Sequence, residues 1–320
     1  MLNPNFMMFE IVRYTPALKA KWDAFVRKSR NGSFLFLRDY MDYHRQRFED
    51  FSLLIYNKES LVALLPLNKE GDGCVASHNG LTYGGLITDK KGRAEKVMRL
   101  FECLNHWLRG AGITKVVYRP TPWIYHILPA EEDLYALTNV CHAHLTAREI
   151  SSTIAQNNKL AFAQSRKDCI RKAQRAGVKV VQSHDFDAFW EVLSANLAQR
   201  YGVKPVHSLA EITALAELFP NEIRLYAAYL DEELVAGCVV YVMPRVVHVQ
   251  YISASPQGKA VGALDILFRY LIDEAFSDVP FFDFGKSTES HGQRLNEQLI
   301  FQKEGFGGRG VCYDTYEWVP

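Results

Sequence analysis

The sequence predicts an α+β chain made of two tandem units of one design. Three observations carry the prediction. Residues 56–63 read YNKESLVA and residues 229–236 read YLDEELVA, identical at five of eight positions. The elements flanking these segments follow in the same order in both halves, as an internal duplication requires. The length, 320 residues, is that of two ordinary domains.

Residues 9–14 (FEIVRY) alternate as a strand does, and a helix carrying Trp22 and Phe25 follows. A second helix is expected over residues 37–48, then the strand–turn–strand of the repeat. Residues 100–108 (LFECLNHWL) place apolar side chains at helical spacing and lead into an apolar strand at 113–118. A further helix and a strand pair complete the copy. In the second half the strand is residues 178–182 (VKVVQ), and the next helix carries Phe189 and Trp190. Residues 209–219 form the second helix, 229–236 the repeated hairpin, 267–275 (LFRYLIDEA) the apolar helix and 279–284 the apolar strand. Strands interrupted by helices on one sheet define the α+β class. Polar residues 151–158 (SSTIAQNN) mark the boundary, giving units of residues 1–155 and 156–320.

Charge and composition exclude several classes. With 37 Lys+Arg against 36 Asp+Glu, the net charge is +1 and supplies no general field for DNA. No apolar run approaches the length of a membrane span. Residues 1–10 lack a basic start, a long apolar stretch and a cleavage site, so a cytoplasmic location without export is expected. Six scattered cysteines without a C-x-x-C pair suit reduced thiols.

The basic segment 166–179 (RKDCIRKAQRAGVK) sets Lys167, Arg171 and Arg175 on one helix face, either a solvated face or a cradle for phosphates. Residues 255–263 (SPQGKAVGA) lie between a strand and a helix, where small residues let a pyrophosphate approach N–H groups. Gly285-Lys286-Ser287 is no P-loop, because Pro280 occupies the position of the required glycine. Cys141, His142 and His144 form the one tight Cys/His cluster, and ordinary strand packing accounts for it; no metal centre is expected. There is no G-x-S-x-G elbow for a serine hydrolase. Polar groups crowd residues 282–292 and 302–308, at the end of a strand and the turn beyond it, where catalytic residues gather.

Three of these segments bear a family resemblance: R-K-x-x-x-R-K-A-x-x-x-G-V at 166–178, F-D-F-G at 282–285 and K-x-G-F-G-G at 303–308. In order and spacing they resemble the FemAB-like branch of the GNAT acyltransferase superfamily, which includes the Fem-type aminoacyl transferases. The resemblance covers the second copy well and the first loosely. It implies two tandem GNAT-like domains, the first degenerate and acceptor-binding, the second carrying the donor site. Residues 257–262 match the GNAT loop Q/R-x-x-G-x-G/A with Ala260 in the first glycine's place.

The function implied is an N-acyltransferase. An amine attacks an acyl-CoA (such as acetyl-CoA) or an aminoacyl-tRNA, and the donor stays open between them; tRNA enters only in the Fem-type case. The acceptor is a small molecule or a precursor of the cell envelope, such as a sugar, peptide or lipid-linked amine. Lys303 is the candidate to stabilise negative charge, and Glu289, His291 and Asp283 are candidate proton acceptors. Asp283 reads equally as a structural carboxylate. Gln257, Gly258, Lys259, Gly262, Ala263, Arg171 and Arg175 are expected to hold the donor. A bulky residue at Gly262 should then weaken donor binding without harming the fold. Arg38, Tyr43, His44, His78 and Tyr83 are the first copy's candidates for the acceptor. The alternative is a non-catalytic ligand-binding protein with degenerate GNAT folds.

Overall fold

The computed structural model describes residues 9–320. Most of the stretch read for an export signal, residues 1–8, lies outside the described residues. Two compact units divide the chain.

In the first unit β1 (Phe9–Arg13) leads to α1 (Lys19–Lys28) and the single turn α2 (Arg38–Met41). The helix expected over 37–48 breaks there, and the chain continues as a 3-10 turn at Asp42–His44. β2 (Leu53–Asn57) and β3 (Ser60–Leu65) make the hairpin, followed by β4 (Asn68–Lys69), β5 (Cys74–Ala76) and β6 (Ile87–Thr88). α3 (Ala94–Gly110), β7 (Lys115–Tyr118) and α4 (Glu132–Asn139) complete it. Phe101, Leu104 and Leu108 of α3 are buried against Leu53, Ile55, Ala63 and Leu65.

In the second unit the chain continues from β8 (His144–Ala155) through α5 (Gln164–Arg175), β9 (Lys179–Ser183), α6 (Phe186–Tyr201) and α7 (Leu209–Leu218). Ser208 and Glu211 close a capping box at the start of α7. β10 (Ile223–Leu230), β11 (Glu233–Val242) and β12 (Val246–Ala254) follow, then α8 (Pro256–Val261), α9 (Ala263–Tyr270) and β13 (Phe281–Lys286). The short pair β14 (Thr288–Glu289) and β15 (Arg294–Leu295) precedes α10 (Glu297–Glu304) and β16 (Arg309–Trp318). The strand order is β8-β13-β12-β11-β10-β9. Helices cover both faces. Gly237 meets the Phe189 ring of α6, and its neighbour Cys238 packs with Leu267 and Phe268 of α9 on the other side.

The duplication holds to the register of single residues. Tyr56 faces Leu61 and Ile55 faces Ala63, with a bulge between Ile55 and Tyr56. Tyr229 faces Leu234 and Ala228 faces Ala236, with the bulge at the corresponding step. On the outer side Glu10 faces Tyr56 as Lys179 faces Tyr229. On the inner side Ala63 faces Thr88 as Ala236 faces Ala254. Trp22 and Trp190 are buried in the helix after the first strand of each copy.

The compact units do not divide at 155 and 156. The first extends to Glu149 and takes in Ser290–Gln293 and Cys312–Pro320, while the second comprises Ile150–Glu289 and Arg294–Val311. The cause is the last strand. Tyr316 of β16 faces Tyr118 of β7, and Trp318 is buried against the first unit's core, donating to Asn105 Oδ1 at 2.9 Å. An alternating pattern predicts a strand but not the sheet it joins. Among the described residues no helix is long and apolar enough to cross a membrane.

Candidate active site

Strand alternation turns Phe282 and Phe284 one way and Asp283 the other. The two rings enter the core with Phe268 and Phe306, whereas Asp283 is buried among polar groups. Four donors converge on its carboxylate. Ser151 Oγ, Thr153 Oγ1 at 2.9 Å and the Gly285 N–H at 3.4 Å reach Oδ1. Nδ1 of His248 lies 2.9 Å from Oδ2. A carboxylate only accepts, so Nδ1 donates, and a neutral ring in this position would carry its lone pair on Nε2. Donors on both oxygens offset the desolvation that a buried carboxylate suffers.

The dyad stands where the sheet forks. β12 and β13 pair in parallel only from Val246–Phe281 to His248–Asp283. Beyond it Gly285 takes a φ of +74°, and Lys286 pairs with Ser151 on β8. The first copy has the same three-rung parallel ladder, from Cys74–Lys115 to Ala76–Val117. Its last rung is Ala76 and Val117, two side chains without acid–base chemistry. There the strand matching β12 is also interrupted by residues 77–86, which return onto the last residue of β7 and the chain just beyond it. Leu86 N donates to Tyr118 Oη at 2.7 Å, Gly84 N to Arg119 O at 2.9 Å, and Thr121 Oγ1 to Gly84 O at 2.7 Å.

Lys303, in the last turn of α10, is buried and donates to the carbonyls of Gly285 and Lys286, each at 2.8 Å. It clamps the bend by which β13 leaves β12. The rest of K-x-G-F-G-G holds the clamp in place. Phe306 stacks on Phe284, and a Cβ at Gly307 would lie 2.8 Å from Leu160 O. Burial pushes the Lys303 ammonium down to about 8, with Asp283 opposing. The unfolded chain keeps the ordinary value near 10.5. Between those values the unfolded state holds a proton that the folded state has released, so stability from this residue rises with pH. Denaturant titrations of Lys303→Met and the parent should show the parent gaining about 3 kcal/mol relative to the variant between pH 7.5 and 10.5. Parallel pH profiles would refute the buried charge.

Residues 162–292 match the sequence model of the acetyltransferase (GNAT) domain family. The second unit carries a GNAT domain. The whole chain has the fold of FemX, with a TM-score of 0.68 at 10% identity over 97% of each chain. It is also similar to the C-terminal domain of a putative lysylphosphatidylglycerol synthetase from Agrobacterium fabrum, with a TM-score of 0.61 at 11% identity over 95% of this chain and 92% of that one. For L-PGS from Bacillus licheniformis the TM-score is 0.60 at 11% identity, over 96% and 92%. No curated protein matches the sequence. The tandem GNAT-like α+β architecture and the Fem-like resemblance read from the motifs therefore stand.

Within the GNAT unit the expected donor loop is the short helix α8. Ser255 Oγ already accepts from Gly258 N at 3.1 Å, and Lys259 Nζ donates to Asn196 Oδ1 at 2.7 Å. Gln257 is exposed and Ala263 is core. A Cβ at Gly258 would lie 2.1 Å from Val235 O, and one at Gly262 (φ +80°) 2.8 Å from Cys169 O. Both glycines thus serve packing, and a bulky residue at Gly262 must strain the fold itself. Lys167, Arg171 and Arg175 of α5 are exposed, and Arg171 pairs with Asp168.

Glu289 and His291 stand outside the dyad's hydrogen-bond set. Arg294 and then Asn296 hold the half-buried Glu289 carboxyl below its ordinary value, which makes it a poor base. His291 has a positive φ of 53° on a turn that belongs to the first unit.

The acceptor candidates of the first unit separate into two groups. Tyr43, His44 and His78 share one aromatic cluster with Phe48, with ring centroids 4.2 Å apart for Tyr43–His44 and 5.3 Å for His44–His78. Burial, then His44 and Arg38, push His78 down to about 3, so it is neutral at physiological pH. Arg38 is a core clamp: it pairs with Asp42 and Asp50 and lies 3.8 Å above the Tyr14 ring. Tyr83 is packed on Phe36 and Tyr125. Sequence reasoning missed His248, whose position in an apolar strand looks like packing. It also missed Arg119, which donates to Asn79 Oδ1 beside His78 and is lowered by burial, with Glu70 and Glu149 opposing. The Tyr118-Arg119-Pro120 strand end was its one visible signal. Among the described residues no group of three or more His, Cys, Asp and Glu side chains is placed to share a metal ion.

Proposed function

We propose that the chain is an N-acyltransferase whose reaction runs at His248 and Asp283 of the GNAT unit. The observation that carries this reading is the buried dyad at the β12–β13 fork, set against Ala76 and Val117 at the same rung of the first copy. The acceptor amine attacks the acyl carbonyl, and a C–N bond forms as the C–S or C–O bond breaks. His248 Nε2 takes the proton that the amine sheds and returns it to the leaving thiolate or alkoxide. Asp283 holds the tautomer and steadies the imidazolium. Lys303 acts as a positioning residue that fixes the carbonyls of Gly285 and Lys286, and its charge lies near the fork where an oxyanion would form.

The donor is an acyl-CoA or an aminoacyl-tRNA. Ser255 Oγ caps the Gly258 N–H of α8, and both donor classes stay in this reading. The name of one similar structure, a putative lysylphosphatidylglycerol synthetase, supports an acceptor connected with membrane lipids. The Tyr43, His44 and His78 cluster with Arg119 is the acceptor-recognition candidate in the first unit. A cytoplasmic location remains part of this reading.

Titrating acetyl-CoA and aminoacyl-tRNA against the full chain, with thermal unfolding as the readout, tests the assignment. One donor should stabilise the chain by about 2.7 kcal/mol at a hundredfold excess over its Kd. Calorimetry should give one site per chain, because residues 77–86 bridge the fork of the first copy. Two equivalent sites would contradict that asymmetry, and no binding of either donor would favour a non-catalytic ligand-binding protein.

A further inference from the structure

The first unit contains a cavity of about 440 Å³ whose counterpart within the second unit is filled by that unit's own side chains. Its floor includes Phe9, Val62 and Thr88, which the ladder registers equate with Val178, Val235 and Ala254. In the second unit those three residues pack with Ala263 and Ile266 of α9 on one side and Ala173 of α5 on the other. In the first unit Val97 and Leu100 of α3 supply the α9 side. No described element supplies the α5 side. Protein interiors seldom leave voids larger than a water molecule, and this volume falls among small-molecule pockets.

The rim is basic. Lys58, Lys91 and Lys96 line it, and none has a carboxylate within ion-pair distance among the described residues. The side chain of Asp89 accepts from the Lys91 N–H. At the hairpin tip Lys58 occupies the place of Asp231 in the second copy, so the charge is reversed where the cavity opens.

We propose that this cavity binds a free single-chain amphipathic anion. The tail lies on Phe9, Val62, Val97 and Leu100, and a carboxylate or phosphate head meets the three lysines. The apolar floor accounts for the tail and the unpaired ammonium groups for the head. The site lies wholly within the first unit and is independent of the transfer chemistry.

Isothermal titration of the full chain with dodecyl phosphate, below its micelle concentration, should show one saturable site. Octyl phosphate should bind at least about tenfold more weakly. The double variant Lys91→Glu, Lys96→Glu should lose about tenfold or more in affinity, while its unchanged melting temperature reports an intact fold. Val62→Phe, at a half-buried lining position, should block the tail without altering the lysines. Absence of saturable binding, equal binding of inorganic phosphate, or indifference to the lysine reversals would overturn the proposal. It also falls if only anionic vesicles bind, or if dodecyl phosphate binds only after Phe6→Asp, which would assign the cavity to the chain's own N-terminal residues.

Discussion

Asp283→Asn is expected to lower turnover by about a thousandfold or more while the fold persists. The geometry decides how the amide must lie. Oδ1 accepts from Ser151, Thr153 and the Gly285 N–H, so the amide oxygen belongs there. The NH₂ group is then left facing His248 Nδ1, in the place of Oδ2. An NH₂ donates, so the imidazole must accept at Nδ1 and move its proton to Nε2. The lone pair that should take the amine's proton is lost, with little change in packing. Nitrogen-labelled imidazole spectra would report the tautomer directly. The parent should show a protonated Nδ1, and the variant a protonated Nε2. A variant with normal turnover and the inverted tautomer would remove the dyad from the mechanism.

The second large effect is on stability. Trp318→Ala should cost about 3–5 kcal/mol, the usual range for truncating a buried aromatic side chain. Trp318 is 4% exposed, packs against Phe101 and Tyr118, and its indole N–H satisfies the buried Asn105. Alanine would leave a cavity and an unpaired amide together. Because β16 closes the first unit, hydrogen exchange should quicken over residues 53–65 and 97–108 well before residues 223–254. Loss centred on residues 223–254 would show that the last strand supports the second unit, against the assignment made here.

These two residues mark how far the sequence could be read. The repeat was legible because a tight hairpin constrains its own register through local turn chemistry, so Tyr56 and Tyr229 fell on matching rungs. Asp283 and Lys303 were legible through F-D-F-G and K-x-G-F-G-G, and the structure joins them at one bend, with the lysine on backbone carbonyls. His248 was not, because a histidine among valines and isoleucines has the alternation of any core strand. Its partner lies 35 residues away in the chain. Glu289 and His291 lie near the motif in sequence, but Glu289 is held by Arg294 and Asn296, and His291 sits on a turn with positive φ. The glycines at 258 and 262 fit a phosphate loop in sequence, and each also lies close to a neighbouring backbone carbonyl. Spacing alone does not distinguish the approach of a ligand from the approach of another strand or helix.

The most direct test is a single-turnover measurement on His248→Gln with the donor that binds. Glutamine keeps a polar side chain and a donor toward Asp283, but it has no basic nitrogen to receive the amine's proton. Donor affinity should remain as in the parent, and the rate of acyl transfer should fall by about 10²–10⁴-fold, the usual worth of a positioned general base. Transfer at the parental rate with the donor still bound would contradict the account and place the chemistry elsewhere in the chain.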